Sequence, residues 1–449
     1  MFSVREIAAV VRGDLTLDVG GTPRRIVHDS QRIERGDLFV ALRGARTDGH
    51  AFLTEAFDRG ACAALVSEHT SDTPAALALI VVPNALVALQ RLAGAWRERL
   101  DGKTIVAVTG SNGKTTTRSL LAHILRKQFV VHEAPENYNT EIGLPLALLG
   151  MAESSEIGVF ELGTEKPGEI AALTSILRPT VGILTGVGPS HLGGFGSIDA
   201  IAQEKWDLAR GVPPGGLLLL NGDAAPLRPF VANGKLDAVT VGLAAGQIRG
   251  RVVEAVPTLC VEVDDPPLRL ETKLIGEHNA TNVLLAALCA HRLGLASSAI
   301  EARVRTFEAV PHRLRSLPAP FGVVLDDVYN ANPASMKAAL HVLIGYGGPS
   351  SRRVFVFGDM LDLGETSDHH HREILTLALE LGIDSVLPAG PRAADACLGI
   401  ESDRIALAKP EERIARLRAL LPGPDDVVLI KGSRALRLEE LVDELLALS

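Results

Sequence analysis

Only four cysteines occur in 449 residues, and Cys62, Cys260, Cys289 and Cys397 lie scattered, without the close spacing of metal ligands. They read as reduced core residues of a cytosolic protein rather than a disulfide framework. Long apolar runs are missing too. The longest, Ala75 to Val82, lies between Pro74 and Pro83 and is far too short to span a membrane. The start, Met1-Phe2-Ser3-Val4-Arg5-Glu6, carries charge where a signal peptide has its apolar region, so no leader is expected. No tract of clustered Lys and Arg offsets the net charge of -9, which argues against a nucleic acid bound through its phosphates. No internal repeat or low-complexity segment stands out. What remains, 47% apolar and 22% charged, is the composition of a soluble globular protein. The chain is too long for one ordinary core, so two or three domains are expected.

The chain is organised around Thr109-Gly110-Ser111-Asn112-Gly113-Lys114-Thr115-Thr116-Thr117. An apolar run, Ile105 to Val108, precedes it and reads as a buried strand. A helical pattern with Leu120, Leu121, Ile124 and Leu125 on one face follows. Strand, glycine loop and helix together let backbone N–H groups and a helix N-terminus hold phosphate. Lys114 then reaches the β- and γ-phosphates and the Thr115 hydroxyl coordinates Mg²⁺. The common P-loop spacing needs a glycine where Val108 stands; here the first glycine is Gly110, so the loop is two residues tighter. A chance Gly-Lys-Thr in a glycine-rich turn is the bland alternative.

Residues 1 to about 100 alternate strand candidates (Asp37 to Leu42, Ala61 to Val66) with a helix from Ala85 to Arg99, a small α/β domain. The middle region alternates strands at Ile105 to Val108, Ile157 to Glu161, Val181 to Thr185 and Leu217 to Leu220 with helices, implying a mostly parallel sheet. Residues 250 to 273 read as an antiparallel hairpin insert. Pro311 to Pro320 reads as a linker or domain edge. Beyond it, strands at Val323 to Asp326, Val354 to Phe357, Ser385 to Leu387 and Val427 to Ile430 describe a third, Rossmann-like domain.

Several polar residues close apolar strands, where α/β proteins build their sites. Glu161 ends one strand and reads either as an acidic loop start or as a metal ligand. His191 follows the Val181 to Thr185 strand, and a lone histidine is usually a satisfied surface or core residue. Lys205 lies on a helix, where a solvated lysine is the default. Its ammonium repels a cation, so only carbamoylation by CO₂ makes it a metal ligand. Asn137 to Pro145, containing Asn139 and Thr140, reads as a helix cap or a substrate loop. Asn279 and Asn282 open an apolar helix within reach of a nucleotide base. Asp326 to Pro333 places another polar loop at a strand end.

Taken together, these segments resemble the Mur ligase family, whose phosphate loop has the tight T-G-S-N-G-K-T-T form of Thr109 to Thr116. Further segments match at Asn137 to Pro145, Glu161-Leu162-Gly163, Gly188 to Leu192, Gly276 to Asn279, Asp326 to Met336, Gly358 to Gly364 and Lys431-Gly432-Ser433. The likeness covers nearly the whole chain. It implies three domains: a central P-loop-type parallel sheet (101–313), flanked by a small N-terminal α/β domain (1–100) and a Rossmann-like C-terminal domain (314–449). Gly110, Ser111, Asn112, Gly113, Lys114, Thr115, Thr116, Asn279, Arg313 and Asp327 are then the ATP contacts, and Thr115, Glu161, His191 and Lys205 hold Mg²⁺. Lys114, Lys205 and His191 carry catalysis. Asp29, Ser30, Asn137, Asn139, Thr140, Tyr329, Asn330 and Asn332 face the substrates. The Tyr329 to Met336 segment implies the member that joins D-alanyl-D-alanine to UDP-N-acetylmuramoyl-tripeptide through an acyl phosphate, as a cytoplasmic monomer with no membrane insertion. A sibling Mur or polyglutamate-type ligase, or a non-catalytic nucleotide-binding scaffold, is the alternative. Three positions depart from the family pattern: Gln31 where Arg is usual, Gly193 where Glu is usual, and His312 where Gly is usual.

Overall fold

The computed structural model describes every residue except 45–46, 70–72, 191, 233–237, 422 and 448–449. Its strands form three sheets in sequence order, one per expected domain. The first is five-stranded, with the parallel strands Ile26–Val27, Leu38–Val40, Ala63–Val66 and Ala78–Val81 and an antiparallel edge at Asp14–Leu15. Ala78–Val81 lies inside the apolar run that is too short for a membrane. It is a strand with three of its four residues buried, which explains its uniform hydrophobicity. Among the described residues, no helix is long and apolar enough to cross a membrane.

The second sheet has nine strands. Its parallel part runs from Ile248–Glu254 through Ala238–Gly242, Leu217–Asn221, Val181–Leu184, Thr104–Thr109 and Ile157–Glu161 to Val131–Glu133. The expected hairpin insert is instead a three-stranded extension of this sheet. Ile248–Glu254 pairs parallel to the main sheet, and Leu259–Val263 and Leu268–Thr272 continue antiparallel from it.

The third sheet orders Arg315–Ala319, Gly322–Asp327, Asp426–Lys431, Arg353–Phe357 and Ser385–Pro388. Arg315–Ala319 lies within Pro311 to Pro320, the stretch read as a linker or domain edge. It is an antiparallel edge strand, and an edge is where a sheet tolerates a proline such as Pro318, which has no N–H to give.

The domain contacts differ. The helix Ala85–Arg99 starts at Asn84, whose side chain accepts from Val87 N at 3.0 Å. It packs on Gly143–Leu149 and Glu169–Leu177 of the middle domain, and one apolar cluster runs through both domains, including Trp96, Leu100, Leu144 and Leu173. Trp96 Nε1 donates to Met151 O at 3.0 Å, and Arg97 Nε donates to Leu177 O at 2.8 Å. The core of the third domain lies in separate clusters, one of which takes in Ile275 and Val256 from the middle domain.

Candidate active site

The strand Thr104–Thr109 runs into the glycine loop, and the helix Lys114–Leu125 begins directly after Gly113. Leu120, Leu121, Ile124 and Leu125 are all buried, as the sequence pattern requires. Two glycines are dictated by space and backbone. Gly110 has φ 154, and a Cβ there would sit 1.9 Å from Thr185 Oγ1. Gly113 has φ 81, and a Cβ there would sit 2.1 Å from Asn282 Oδ1. Neighbouring loops brace the cradle: Ser111 N donates to Gly186 O at 2.9 Å and Ser111 Oγ to Gly188 O at 3.0 Å.

Glu161 closes the adjacent strand with its carboxylate in the cleft. Thr115 Oγ1 donates to one of its oxygens and Asn139 Nδ2 to the other, each at 2.8 Å. Burial alone would push this carboxyl up. Lys114, Arg118, the Thr115 hydroxyl and Arg313 outweigh burial, so it is held below its ordinary value and stays ionised. An anionic carboxylate beside a hydroxyl is a hard oxygen donor set suited to Mg²⁺.

Lys205 lies on the helix Ile198–Gly211, which Ser197 caps. It is 2% exposed, not solvated. Burial first, then the charge of Lys114, pulls its amine down to about 7. A neutral amine is the form that attacks CO₂, so this environment favours carbamoylation. Glu204 beside it accepts from Gly168 N and Ile170 N, both at 2.7 Å, and so ties this helix to the loop after Glu161.

The third domain reaches into the same cleft, whose volume is about 1040 Å³. Arg313 Nη2 donates to Thr115 Oγ1 at 3.0 Å, and its guanidinium lies 3.6 Å over the Tyr329 ring. Tyr329 donates its hydroxyl proton to Asn137 Oδ1. Asn332 Nδ2 donates to Asn112 Oδ1 at 2.7 Å, between residues 220 positions apart. Asp327 pairs with Lys431 at 2.7 Å, and Lys431 also donates to Asn330 O at 2.9 Å. The carboxyl edges of two parallel sheets thus face each other, the arrangement expected of an α/β ligand site.

The structure brings Ser111 to Thr116, Asn137, Asn139, Thr140, Glu161, Asn279, Arg313, Asp327, Tyr329, Asn330 and Asn332 to one cleft. Thr140 also accepts from Gly143 N at 3.2 Å, but the N-cap of the helix Gly143–Leu149 is Ile142, which makes no side-chain cap bond, so that segment is a cleft wall. Asn279 accepts from Asn282 Nδ2 at 3.0 Å. Asp29 and Ser30 lie apart in the first domain, where Asp29 caps a short 3₁₀ turn and Ser30 Oγ donates to Glu55 at 3.0 Å. His191 falls outside the described residues. Sequence reasoning missed Arg118, which is buried and donates to Ala134 O and Pro135 O. It anchors the loop that carries Asn137 and Asn139. Its place four residues after Lys114 on the phosphate helix was the available signal.

Family models match along the chain. The Mur ligase family catalytic-domain model covers residues 24–97, the Mur ligase middle domain 108–290, and the Mur ligase glutamate ligase domain 312–434. The UDP-N-acetylmuramoyl-tripeptide–D-alanyl-D-alanine ligase of Bacillus subtilis is 31% identical to this chain, covering 99% of it and 98% of the relative. The chain belongs to the Mur ligase family. Among solved structures, MurF from Acinetobacter baumannii superposes with a TM-score of 0.89 at 28% identity, covering 99% of this chain and 98% of that one. The MurF ligase of Thermotoga maritima in complex with ADP superposes with a TM-score of 0.82 at 29% identity, covering 94% and 97%. Against the Mur ligase pattern, Gly193 is not demanded by space. A Cβ there would meet Asp362 O at 3.7 Å, an ordinary contact.

Proposed function

We propose that this chain is the ATP-dependent ligase that joins D-alanyl-D-alanine to UDP-N-acetylmuramoyl-tripeptide, forming a peptidoglycan precursor. The observation that carries the reading is Lys114, Thr115 and Glu161 gathered at a phosphate loop with Arg313 reaching in from the third domain. The full-length relatives that bear this activity as their name support the substrate assignment. The domains are taken as 1–100 for the UDP-sugar end, with Asp29 and Ser30 on its uridine side, 101–313 for ATP, and 314–449 for the dipeptide. The protein is assigned to the cytoplasm as a monomer.

The tripeptide carboxylate attacks the γ-phosphorus of ATP, and ADP leaves an acyl phosphate. Lys114 and Arg313 lower the charge on the transferring phosphoryl group, the main demand of this step. Thr115 and Glu161, with Lys205 as a carbamate, would hold Mg²⁺, which when bound neutralises phosphate charge. The dipeptide amine then attacks the acyl carbon, and phosphate leaves from the tetrahedral intermediate. Tyr329, Asn330 and Asn332 close over the cleft and keep water from the acyl phosphate.

The test is phosphate release from ATP with UDP-N-acetylmuramoyl-tripeptide, with and without D-alanyl-D-alanine. Release that needs both establishes the ligase. Release with a single amino acid or glutamate in place of the dipeptide moves the chain to a sibling activity, and ATP binding without release under any pairing makes it a scaffold.

A further inference from the structure

The turn that delivers Arg313 is built from two non-glycine residues in the left-handed region, His312 at φ 63 and Leu314 at φ 52. Side chains disfavour that conformation, so the surroundings must hold it. Two consecutive carboxylates at the end of the strand Gly322–Asp327 do so. His312 Nδ1 lies 3.0 and 3.2 Å from the two oxygens of Asp326, and Leu314 N donates to Asp327 Oδ1 at 3.2 Å. The His312 carbonyl also accepts from Tyr329 N at 3.1 Å. Asp326 is 2% exposed, so the pair is shielded from water on the carboxylate side. Burial pushes the Asp326 carboxyl up and His312 acts against that push. Between the two clamped residues, Arg313 points at Thr115, and its Nε has no hydrogen-bond partner among the described residues. The guanidinium is therefore aimed by the turn, by its stacking on Tyr329, by its bond to Thr115 and by an ion pair with Glu136 at 3.8 Å.

We propose that His312 is a positioning residue: latched to Asp326, it holds the turn that aims Arg313 at the phosphate loop. The proposal rests on the ligase reading for its meaning, but its test does not need turnover. Glycine accepts φ 63 freely, so His312→Gly keeps the turn's backbone allowed while it removes the latch and leaves the turn looser. Asparagine also tolerates the left-handed region, and its Nδ2 stands where the histidine Nδ1 stands, so His312→Asn restores a donor toward Asp326.

The experiment is a double-mutant cycle on ADP affinity, by titration calorimetry with folded variants checked by thermal melting. His312→Gly is expected to weaken ADP about tenfold, the scale of one hydrogen bond to a charged group. In an Arg313→Ala background the same change is expected to cost less than about twofold, because the residue acts through Arg313. His312→Asn is expected to recover most of the affinity. An equal loss in both backgrounds, no loss in either, or a His312→Asn variant as weak as glycine would overturn the proposal. Absence of phosphate release by the wild-type chain would overturn the ligase reading instead, and the ADP cycle would still report on His312.

Discussion

The two domain boundaries of this chain are made of different materials. The first and middle domains share one apolar cluster, with Trp96 and Leu100 packed against Leu144 and Leu173. The middle and third domains share a smaller apolar contact, Ile275 and Val256 against the third domain's core, and across the cleft they are joined by polar pairs: Arg313 with Thr115, Tyr329 with Asn137, Asn332 with Asn112. An apolar boundary of that kind opens only at the cost of exposing core, whereas each polar pair contributes about 1 kcal/mol and can exchange for water or ligand. Opening at the second boundary therefore costs less than opening at the first. The first holds the first sheet at a fixed distance from the phosphate loop.

The largest effect is expected on the cleft's own chemistry. Lys114→Ala should reduce phosphate release by at least about 10²–10³-fold, the scale of removing one preorganised charge stabiliser, while the melting temperature stays near wild type. Activity near wild type would remove the phosphate-loop assignment and with it the contrast between the boundaries. Lys205→Ala should be equally inactive but partly recover with added short carboxylic acids, which can stand in for the proposed carbamate. An active alanine variant would reduce Lys205 to a buried packing residue.

The apolar boundary is tested through stability. Trp96 is 2% exposed, and Trp96→Ala should destabilise the first and middle domains together by about 3–5 kcal/mol. Calorimetry should show their shared transition fall while that of the third domain holds. If the first domain alone loosens, as read by hydrogen exchange, the two do not share one core.

Much of this architecture was legible in the sequence because it is local. The strand, glycine loop and helix around Lys114 announce themselves by period and spacing, and the helix Ala85–Arg99 appeared with both ends in place. The edge strand at Arg315–Ala319 was hidden because its proline signals a break, and only the sheet order shows that it lies at an edge. Arg118 and Glu204 were hidden because a charged residue on a helix reads as solvent-facing until its partners, carbonyls and N–H groups from other segments, are in place. The contact between Asn112 and Asn332 has no local signal.

That contact gives the smallest effect and the finest test of the polar boundary. Asn332 has two roles. It caps the helix Pro333–Gly345, accepting from Ser335 N at 2.9 Å, and it reaches across the cleft to Asn112. Serine is as good a cap as asparagine but too short to span the gap, so Asn332→Ser should leave stability within about 0.5 kcal/mol. Asn332→Ala loses the cap as well and should cost about 1 kcal/mol. If the cross-cleft contact serves closure, both variants should raise the dipeptide KM by about three- to tenfold alike, although their melting temperatures differ. A serine variant kinetically identical to wild type would mean that Asn332 only caps its helix, leaving Arg313 and Tyr329 to hold the domains together.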